Sequence, residues 1–273
     1  MRAEHHPTNP RASIHFALAS VQPLSPPAWF APEAAALGVE FDADDLPRLA
    51  RFLAFVLHAN AQANLTSITD PDDAWRRHIL DSLSLLAVLS DLPPGSRVAD
   101  VGTGAGFPGM VLAIVLPHLR FTLMDATDKK VVFVRQAADA LALANVTPVR
   151  IRAEDAGQDR GEKTGSGRIG GHREQYDAVV ARAVGPLRVL AELTVPLAKA
   201  PAEGQPGGIV ALIKGERAPQ ELDEAAGALR LLKASHAATL DTPTGRIVVL
   251  AKDARTPRMY PRRDGEPKRA PLA

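Results

Sequence analysis

The stretch RVADVGTGAGFPG, residues 97–109, constrains the fold of this chain more than any other part of its sequence. Five residues typical of a buried strand lead into a turn with four glycines in eight positions, and an apolar run follows. Glycines this close together allow the backbone to approach a ligand, because they lack a Cβ and accept left-handed conformations. The stretch therefore predicts a strand, a ligand-binding turn and a helix.

From residue 96 onward, strand patterns alternate with apolar stretches of helical spacing. Six strands are predicted, at residues 97–101, 120–126, 148–155, 176–184, 208–215 and 246–252. Such alternation is typical of an α/β fold with a doubly wound, mostly parallel sheet, helices on both faces and right-handed crossovers. This Rossmann-like architecture, preceded by an N-terminal helical segment, is the predicted fold class.

Residues 32–95 have a helical pattern, which predicts a segment packed on the core. Its second helix has a clear start, because Asp70 is the expected N-cap and Pro71 the first helical residue. The remaining boundaries follow from composition. The interpretation is a flexible extension at 1–31, a core at 96–252 with a mobile, glycine-rich insertion at about 157–175, and a basic tail at 253–273.

The bulk composition excludes several classes of protein. With no cysteine in 273 residues, the chain has neither disulfides nor thiolate metal ligands, and no metal site is expected. No apolar run reaches the roughly 18 residues that a membrane span needs, so no membrane association is expected. The missing cysteines fit a reducing, cytoplasmic location. The net charge of +1 gives no argument for nucleic acid, so any basic surface is expected to be local.

Three kinds of ligand compete for the glycine-rich turn. A nucleoside triphosphate is excluded, because no Lys-Ser or Lys-Thr follows the glycines. For a dinucleotide, Phe107 stands where the fingerprint that starts at Gly102 needs its third glycine, and the match from Gly104 begins too far beyond the strand. The register D-x-G-x-G-x-G from Asp100 to Gly106 is instead typical of S-adenosylmethionine-dependent methyltransferases.

Acidic residues at the ends of successive strands favour the same ligand. Asp100 lies where a carboxylate attracts the ammonium or sulfonium group, and Asp125 closes the next strand, where the ribose hydroxyls are expected. Glu154 and Asp155 follow the third strand, near the expected adenine. Each acid alone is equally explained as a strand-end cap. Together with the glycines they predict a binding site for S-adenosylmethionine.

Six motifs occur in an order that resembles one family: NLTSI, RRHILDSL, DVGTGAGFPG, YDAVVARAV, LIKGE and YPRRDGEPKRAPL. Together they are similar to the bacterial 16S ribosomal RNA guanine-N7 methyltransferases, also called glucose-inhibited division protein B. The resemblance runs from about Pro32 to Leu272. It implies methylation of guanine N7 in the 530 loop of 16S ribosomal RNA, presented as RNA or as the 30S subunit, by a protein expected to be a monomer.

The resemblance also implies which residues contact S-adenosylmethionine. They are Gly102, Phe107, Asp125, Ala126, Thr127, Ala153, Glu154 and Arg182. Two features depart from the family pattern. The insertion after Asp155 is longer than expected, and the N-terminal extension has no counterpart.

Guanine N7 carries a lone pair and no proton, so its methylation needs no general base. No catalytic acid or base is therefore predicted, and the expected roles are positioning and electrostatics. The positioning candidates are Arg182, His78, Asp81 and Asn64. His78 and Asp81 share a helix face with Arg77, which fits an active-site wall or a structural ion pair. Asn64 is a turn or site residue, and Arg182 contacts the cofactor, the target base or a local acid.

Basic residues at the same edge of the sheet and in the tail are candidates for RNA contact. They are Lys214, Arg258, Arg262, Arg263 and Lys268. Lys214 is alternatively a surface lysine before a turn, and the tail alternatively a solvated segment. Tyr260 either stacks on a base or packs the tail onto the domain.

Other functions stay open at this point. A small-molecule methyltransferase is the main alternative, and it needs a closed apolar pocket over the donor without a basic rim. An NAD-dependent oxidoreductase and a non-catalytic binding module are further alternatives.

Overall fold

The computed structural model describes residues 14–164, 167–182 and 185–273, and a β-sheet lies at its centre. The strands in chain order are β1 (Arg97–Val101), β2 (Arg120–Asp125), β3 (Val146–Arg150), β4 (Glu162–Thr164), β5 (Gly167–Ile169), β6 (Ala178–Arg182), β7 (Ile209–Lys214), β8 (Ala234–Thr242) and β9 (Gly245–Lys252). Seven of them form one sheet in the order β3-β2-β1-β6-β7-β9-β8, and β4 pairs with β5 in a separate hairpin.

The sheet is mostly parallel. The five strands from β3 to β7 in this order run parallel, and β9 runs antiparallel to both of its neighbours, β7 and β8. The chain winds outward from β1 to β3 and then, from β6, in the opposite direction. The predicted doubly wound sheet is thus confirmed. In such sheets ligands bind outside the carboxyl ends of the strands, where the winding direction changes; here that is between β1 and β6.

Helices cover both faces of the sheet. In chain order they are α1 (Phe30–Ala36), α2 (Asp45–Ala63), α3 (Pro71–Ala74), a π-helix (Trp75–Leu80), α4 (Asp81–Leu83), α5 (Leu86–Leu89), α6 (Gly109–Val115), α7 (Asp128–Ala140), α8 (Ala153–Gln158), α9 (Leu187–Thr194), a 3₁₀ turn (Val195–Leu197), α10 (Ala218–Leu232) and α11 (Glu266–Arg269). In the three described ranges, none is both long enough and apolar enough to cross a membrane.

Alternating strand residues build one core on each face. In β6, Ala178 and Val180 belong to the core beneath α2, α6 and α7, whereas Val179 and Ala181 belong to the core beneath α9 and α10. This is the period of two that a strand buried on both faces requires. The helical segment before β1 packs on the first core, and it thereby reaches the carboxyl edge of the sheet.

Local structure differs from the expectations in three elements. The sequence pattern missed β8, a half-exposed edge strand with mixed polarity that is held by its backbone pairing with β9. The strand expected at 148–155 ends at Arg150, and its acidic end forms α8 instead. The N-cap at Asp70 is confirmed by the Asp73 amide, which donates to its Oδ1 at 2.9 Å, but the helix that follows is interrupted by the π-helix.

The described part of the N-terminal extension, for which the sequence predicted a flexible segment, lies on the core. Phe16 is 2% exposed, and its ring meets Phe133 of α7 edge-on at 5.4 Å. The Phe16 amide donates to Gln136 Oε1 at 2.9 Å, and Gln136 Nε2 donates to the Ile14 carbonyl at 2.7 Å. Residues 1–13 lie outside the described part of the chain.

The expected insertion and tail are joined by one buried arginine. Arg173 donates hydrogen bonds to the carbonyl oxygens of Gly157, Thr256, Pro257 and Tyr260, at 2.6–3.2 Å. Burial lowers the pKa of its guanidinium. The insertion, expected to be mobile, therefore contains both the β4–β5 hairpin and a buried anchor, and the tail is fixed on the domain; residues 165–166 are outside the described ranges.

Replacing Phe16 by Ala is expected to lower the free energy of unfolding by about 3 kcal/mol, because a buried ring is lost and a cavity is left. Urea denaturation followed by circular dichroism measures this. Ile14→Ala is the matched control, since the Ile14 side chain is 41% exposed and its backbone carbonyl is retained. Equal stability of the two variants would show that residues 14–18 do not pack on α7 in solution.

Candidate active site

Asp100 organises the glycine-rich turn from inside the protein. Its Oδ2 accepts hydrogen bonds from the Thr103 hydroxyl at 2.6 Å and the Gly109 amide at 2.9 Å. A Cβ on Gly109 would lie 2.7 Å from the same oxygen, so only glycine permits this approach. Burial raises the pKa of Asp100 to about 6. Because the side chain is fully buried, it supports the turn and is not the surface carboxylate expected to attract a cationic ligand.

A cavity of about 190 Å³ lies at the carboxyl ends of β1, β2 and β3, and we call it the donor cavity. It is lined by Val101, Gly102, Met124, Asp125, Ala126, Ile151, Arg152, Ala153, Glu154, Leu190 and Leu193. Gly102 leaves β1 at φ +72°, which exposes its backbone to the cavity. Asp125 accepts the Gly104 and Thr127 amides, one on each oxygen, and each oxygen keeps a lone pair for a ligand.

Five of the residues expected to contact S-adenosylmethionine line the donor cavity. They are Gly102, Asp125, Ala126, Ala153 and Glu154. The apolar wall formed by Ile151, Leu190 and Leu193 suits a purine ring, and the two carboxylates suit ribose hydroxyls and ring nitrogens, so the lining fits the nucleoside part of that molecule.

The other three residues expected to contact S-adenosylmethionine do not line the donor cavity. Thr127 precedes α7, and its amide is bonded to Asp125. Phe107 is buried, with its ring between Phe52 at 5.1 Å and His78 at 4.4 Å. Arg182 lines a second, larger cavity, on the other side of the place between β1 and β6 where the winding direction changes.

This second cavity, the acceptor cavity, has a volume of about 540 Å³ and a largely polar lining. Its walls are Leu65, Thr66, Ser67, Ile68, Arg77, His78, Asp81, Arg182, Ile213, Lys214, Gly215 and Thr244. The register of β1 and β6 pairs Asp100 with Val180. Gly102 and Arg182, each two residues further on, therefore lie at the same level on adjacent strands, and the two cavities are neighbours.

Arg182 connects the sheet to the helical segment. Its Nη1 donates to the Arg77 carbonyl at 2.6 Å, its Nη2 lies 3.1 Å from His78 Nδ1, and Asp81 Oδ2 is 3.7 Å away. Its guanidinium also lies 5.2 Å from the centre of the Phe107 ring, within cation–π distance. The structure thus brings Arg182, His78 and Asp81 together, as the positioning candidates require.

His78 lies in the π-helix, and Asp81 begins α4 directly after it. Burial, followed by the charge of Arg182, lowers the pKa of His78 to about 3, so its ring is neutral. Burial raises the pKa of Asp81, while the Thr244 hydroxyl, at the β8–β9 turn, donates to its Oδ1. No ion pair joins Asp81 to Arg77, although both are described; Arg77 is exposed at the cavity rim.

Asn64 takes the turn alternative of its prediction, whereas Lys214 is paired within the domain. Asn64 ends α2 in a left-handed conformation, with φ 48° and an exposed side chain, and it does not line the acceptor cavity. The Lys214 ammonium is bound by Glu221 at 2.8 Å and by the Gly185 carbonyl at 2.7 Å. It is therefore a buried partner of α10 rather than a free cation for RNA phosphate.

The basic residues of the tail fall into two groups, one paired within the domain and one exposed. Arg262 pairs through two nitrogens with the fully buried Glu192, which corrects its expected role in RNA contact. Arg258, Arg263 and Lys268 are exposed. Tyr260 packs into the core and does not stack outward. Beside the donor cavity, the Gly265 amide donates to Glu154 Oε1 at 3.1 Å, so the tail holds one of the residues that line this cavity.

Sequence reasoning missed Thr66 and Thr244 as lining residues. Thr66 belongs to the quoted NLTSI motif, which was the available signal. Thr244 is brought in from the far end of the chain by β8 and β9, and no local pattern indicates it. A search of the described residues finds no group of three or more His, Cys, Asp or Glu side chains arranged to hold a metal ion.

The His78 ring is expected to be neutral at pH 5, with its proton on Nε2, because Arg182 occupies Nδ1 and burial disfavours the charged form. ¹⁵N-detected NMR of the imidazole nitrogens measures both properties, and the His78→Gln variant assigns the signal. A doubly protonated ring at pH 5 would contradict this arrangement.

Comparison with known proteins assigns the family. A family model described as GidB, rRNA small subunit methyltransferase G, matches residues 45–246. Proteins named ribosomal RNA small subunit methyltransferase G are 45% identical in Sorangium cellulosum, over 88% of this chain and 94% of the relative, and 37% identical in Leuconostoc citreum, over 86% and 95%. In Lactobacillus johnsonii the identity is 36%, over 90% and 99%. The chain therefore belongs to the rRNA small subunit methyltransferase G family.

Proposed function

We propose that this chain transfers the methyl group of S-adenosylmethionine to N7 of a guanine in the 530 loop of 16S ribosomal RNA, in the 30S subunit or in naked RNA. The observation that carries this proposal is the pair of neighbouring cavities, a nucleoside-sized donor cavity at Gly102 and a wider polar cavity at Arg182, on adjacent strands. Family membership gives the class of enzyme, an S-adenosylmethionine-dependent methyltransferase.

Different residues of the donor cavity bind different parts of S-adenosylmethionine. Asp125 binds the ribose hydroxyls with its free lone pairs, and Glu154 faces the base, beside the apolar wall of Ile151 and Leu190. Gly102 allows the methionine part to lie against bare backbone. Phe107 and Thr127 act indirectly, by supporting Arg182 and Asp125.

The acceptor side positions a base without exchanging protons with it. The bound donor supplies the methyl group: the N7 lone pair forms the new C–N bond as the C–S bond breaks, and the positive charge passes to the purine. A neutral His78 adds no positive charge beside that purine, and Asp81 is held by Thr244 and Arg182. The enzyme contributes orientation and a fixed electrostatic environment.

Ribosomal RNA suits the acceptor side better than a small molecule does. The small-molecule alternative needs a closed apolar pocket without a basic rim, whereas the acceptor cavity has a polar lining and the exposed Arg77 at its rim. The helical segment at 32–95 and the tail at 253–273 form the two sides of the RNA-binding face, and Arg258, Arg263 and Lys268 contact phosphate. We also propose that the protein acts as a monomer in the cytoplasm, where its ribosomal substrate is made.

The decisive experiment supplies purified protein with labelled S-adenosylmethionine and three acceptors: 30S subunits, naked 16S RNA and guanosine. Label is expected in RNA, and mass spectrometry of the digested RNA is expected to find N7-methylguanosine in the 530 loop. Transfer to the nucleoside with none to either RNA would refute the proposal.

Arg182→Lys is expected to lower kcat by roughly a hundredfold with little change in melting temperature, because lysine keeps the charge but cannot bridge Arg77, His78 and Asp81. Steady-state methylation of 30S subunits measures the loss. Arg217→Lys, at an exposed arginine before α10, is the control. A fully active Arg182→Lys enzyme would remove this residue from the site.

Arg263→Ala combined with Lys268→Ala is expected to weaken RNA binding and to make its salt dependence shallower. Each lost phosphate contact removes about 0.7–0.9 from the slope of log K against log salt concentration. Fluorescence anisotropy at several salt concentrations measures this slope. Arg120→Ala, an exposed residue at the opposite edge of the sheet, is the control, and an unchanged slope in the double variant would exclude the tail from binding.

A further inference from the structure

Thr66 lies in the loop after α2, half-buried in the wall of the acceptor cavity. Its Oγ1 is 2.9 Å from His78 Nε2 and accepts a hydrogen bond from the Ile68 amide at 3.1 Å. The direction of the bond to His78 decides what this hydroxyl offers to a ligand, since a hydroxyl has two acceptor lone pairs and one proton.

The Arg182 contact fixes that direction. A guanidinium nitrogen only donates, so His78 Nδ1, at 3.1 Å from Arg182 Nη2, must accept. The single proton of a neutral imidazole is then on Nε2, and Nε2–H donates to Thr66 Oγ1. The low pKa of His78 means that the ring is neutral and carries a single proton, and the Arg182 contact decides its position.

The Thr66 hydroxyl therefore has both lone pairs occupied and its proton unused. The Ile68 amide and the His78 imidazole both donate to Oγ1, and no acceptor in the described part of the chain is bonded to its proton. Because the residue lines the acceptor cavity, that proton is available to whatever enters there. The position can donate a hydrogen bond and cannot accept one.

Guanine and adenine differ in the hydrogen-bonding group at position 6, which lies beside N7 on the same edge of the base. On that edge guanine presents the acceptor O6, and adenine presents an amino group, which is a donor. Resting on the proposed function, we propose that the Thr66 hydroxyl donates to O6 of the target guanine and so selects guanine over adenine. The amino group of adenine would meet a donor at the same place, which adds repulsion to the lost bond.

A phosphate oxygen is the other acceptor that could meet this proton, and the two cases differ in one measurable way. Contact with O6 makes the effect of Thr66 depend on the target base, whereas contact with phosphate weakens all RNA substrates equally. Ser67, an exposed hydroxyl residue in the same cavity wall, provides a matched control for the loss of a hydroxyl.

The test uses 30S subunits reconstituted with 16S RNA that carries either guanine or 2-aminopurine at the target position. 2-Aminopurine keeps N7 and the 2-amino group but has hydrogen in place of O6. Methylation rates of both subunits are measured for the wild-type chain and for Thr66→Val, Thr66→Ser and Ser67→Ala. Comparing ratios between enzymes cancels the different intrinsic reactivity of the two bases.

The guanine-to-2-aminopurine rate ratio is expected to fall about tenfold in Thr66→Val, the size of one neutral hydrogen bond, and to stay near the wild-type value in Thr66→Ser and Ser67→Ala. If Thr66→Val does not fold, Thr66→Ala carries the same expectation. An equal loss of rate on both substrates would overturn the proposal and leave Thr66 as a support for His78. Absence of any transfer to guanine by the wild-type chain would instead overturn the proposed function, and this inference with it.

Discussion

The buried carboxylate of Asp100 is the interaction on which the rest of the site depends. One of its oxygens binds the Thr103 hydroxyl and the Gly109 amide, and so ties the end of β1 to the start of α6. Gly102, just before these contacts, lines the donor cavity, whereas Phe107, between them, packs against His78. Burial raises the pKa of this carboxyl group, and the hydrogen bonds that shape the turn offset part of that cost.

Phe107 connects the glycine-rich turn to the helical segment through its contacts with His78 and Arg182. The Phe107 ring stacks on a neutral imidazole, and Arg182 lies over the same ring while it holds the π-helix by the Arg77 carbonyl. π-Helices are rare and occur often at functional sites; here one contains His78 and ends directly before Asp81, and both side chains lie beside Arg182 of β6. A methyl transfer that needs no proton exchange is compatible with a histidine that stays uncharged.

The sequence predicted what local pattern controls and missed what tertiary packing controls. The glycine register and the acids at 125 and 154 were readable because strand ends in a parallel sheet meet at one edge. Arg262 and Arg263 are neighbours in sequence, yet one is paired with the buried Glu192 and the other is exposed, and only α9 decides which. Thr244 reaches Asp81 by the folding of a hairpin far away in the chain, so no periodicity could indicate it.

The contact between Gly265 and Glu154 also has a consequence for the order in which the molecule is completed. Gly265 follows all nine strands of the described residues, and Arg173 holds the tail by the carbonyl oxygens of residues 256, 257 and 260. During synthesis the N-terminal parts of a chain emerge and fold first. The sheet and its glycine-rich turn can therefore form before Gly265 is made, while Glu154 still lacks its hydrogen bond from the tail. The glycine-rich turn therefore precedes in synthesis the contact that fixes Glu154 beside the donor cavity.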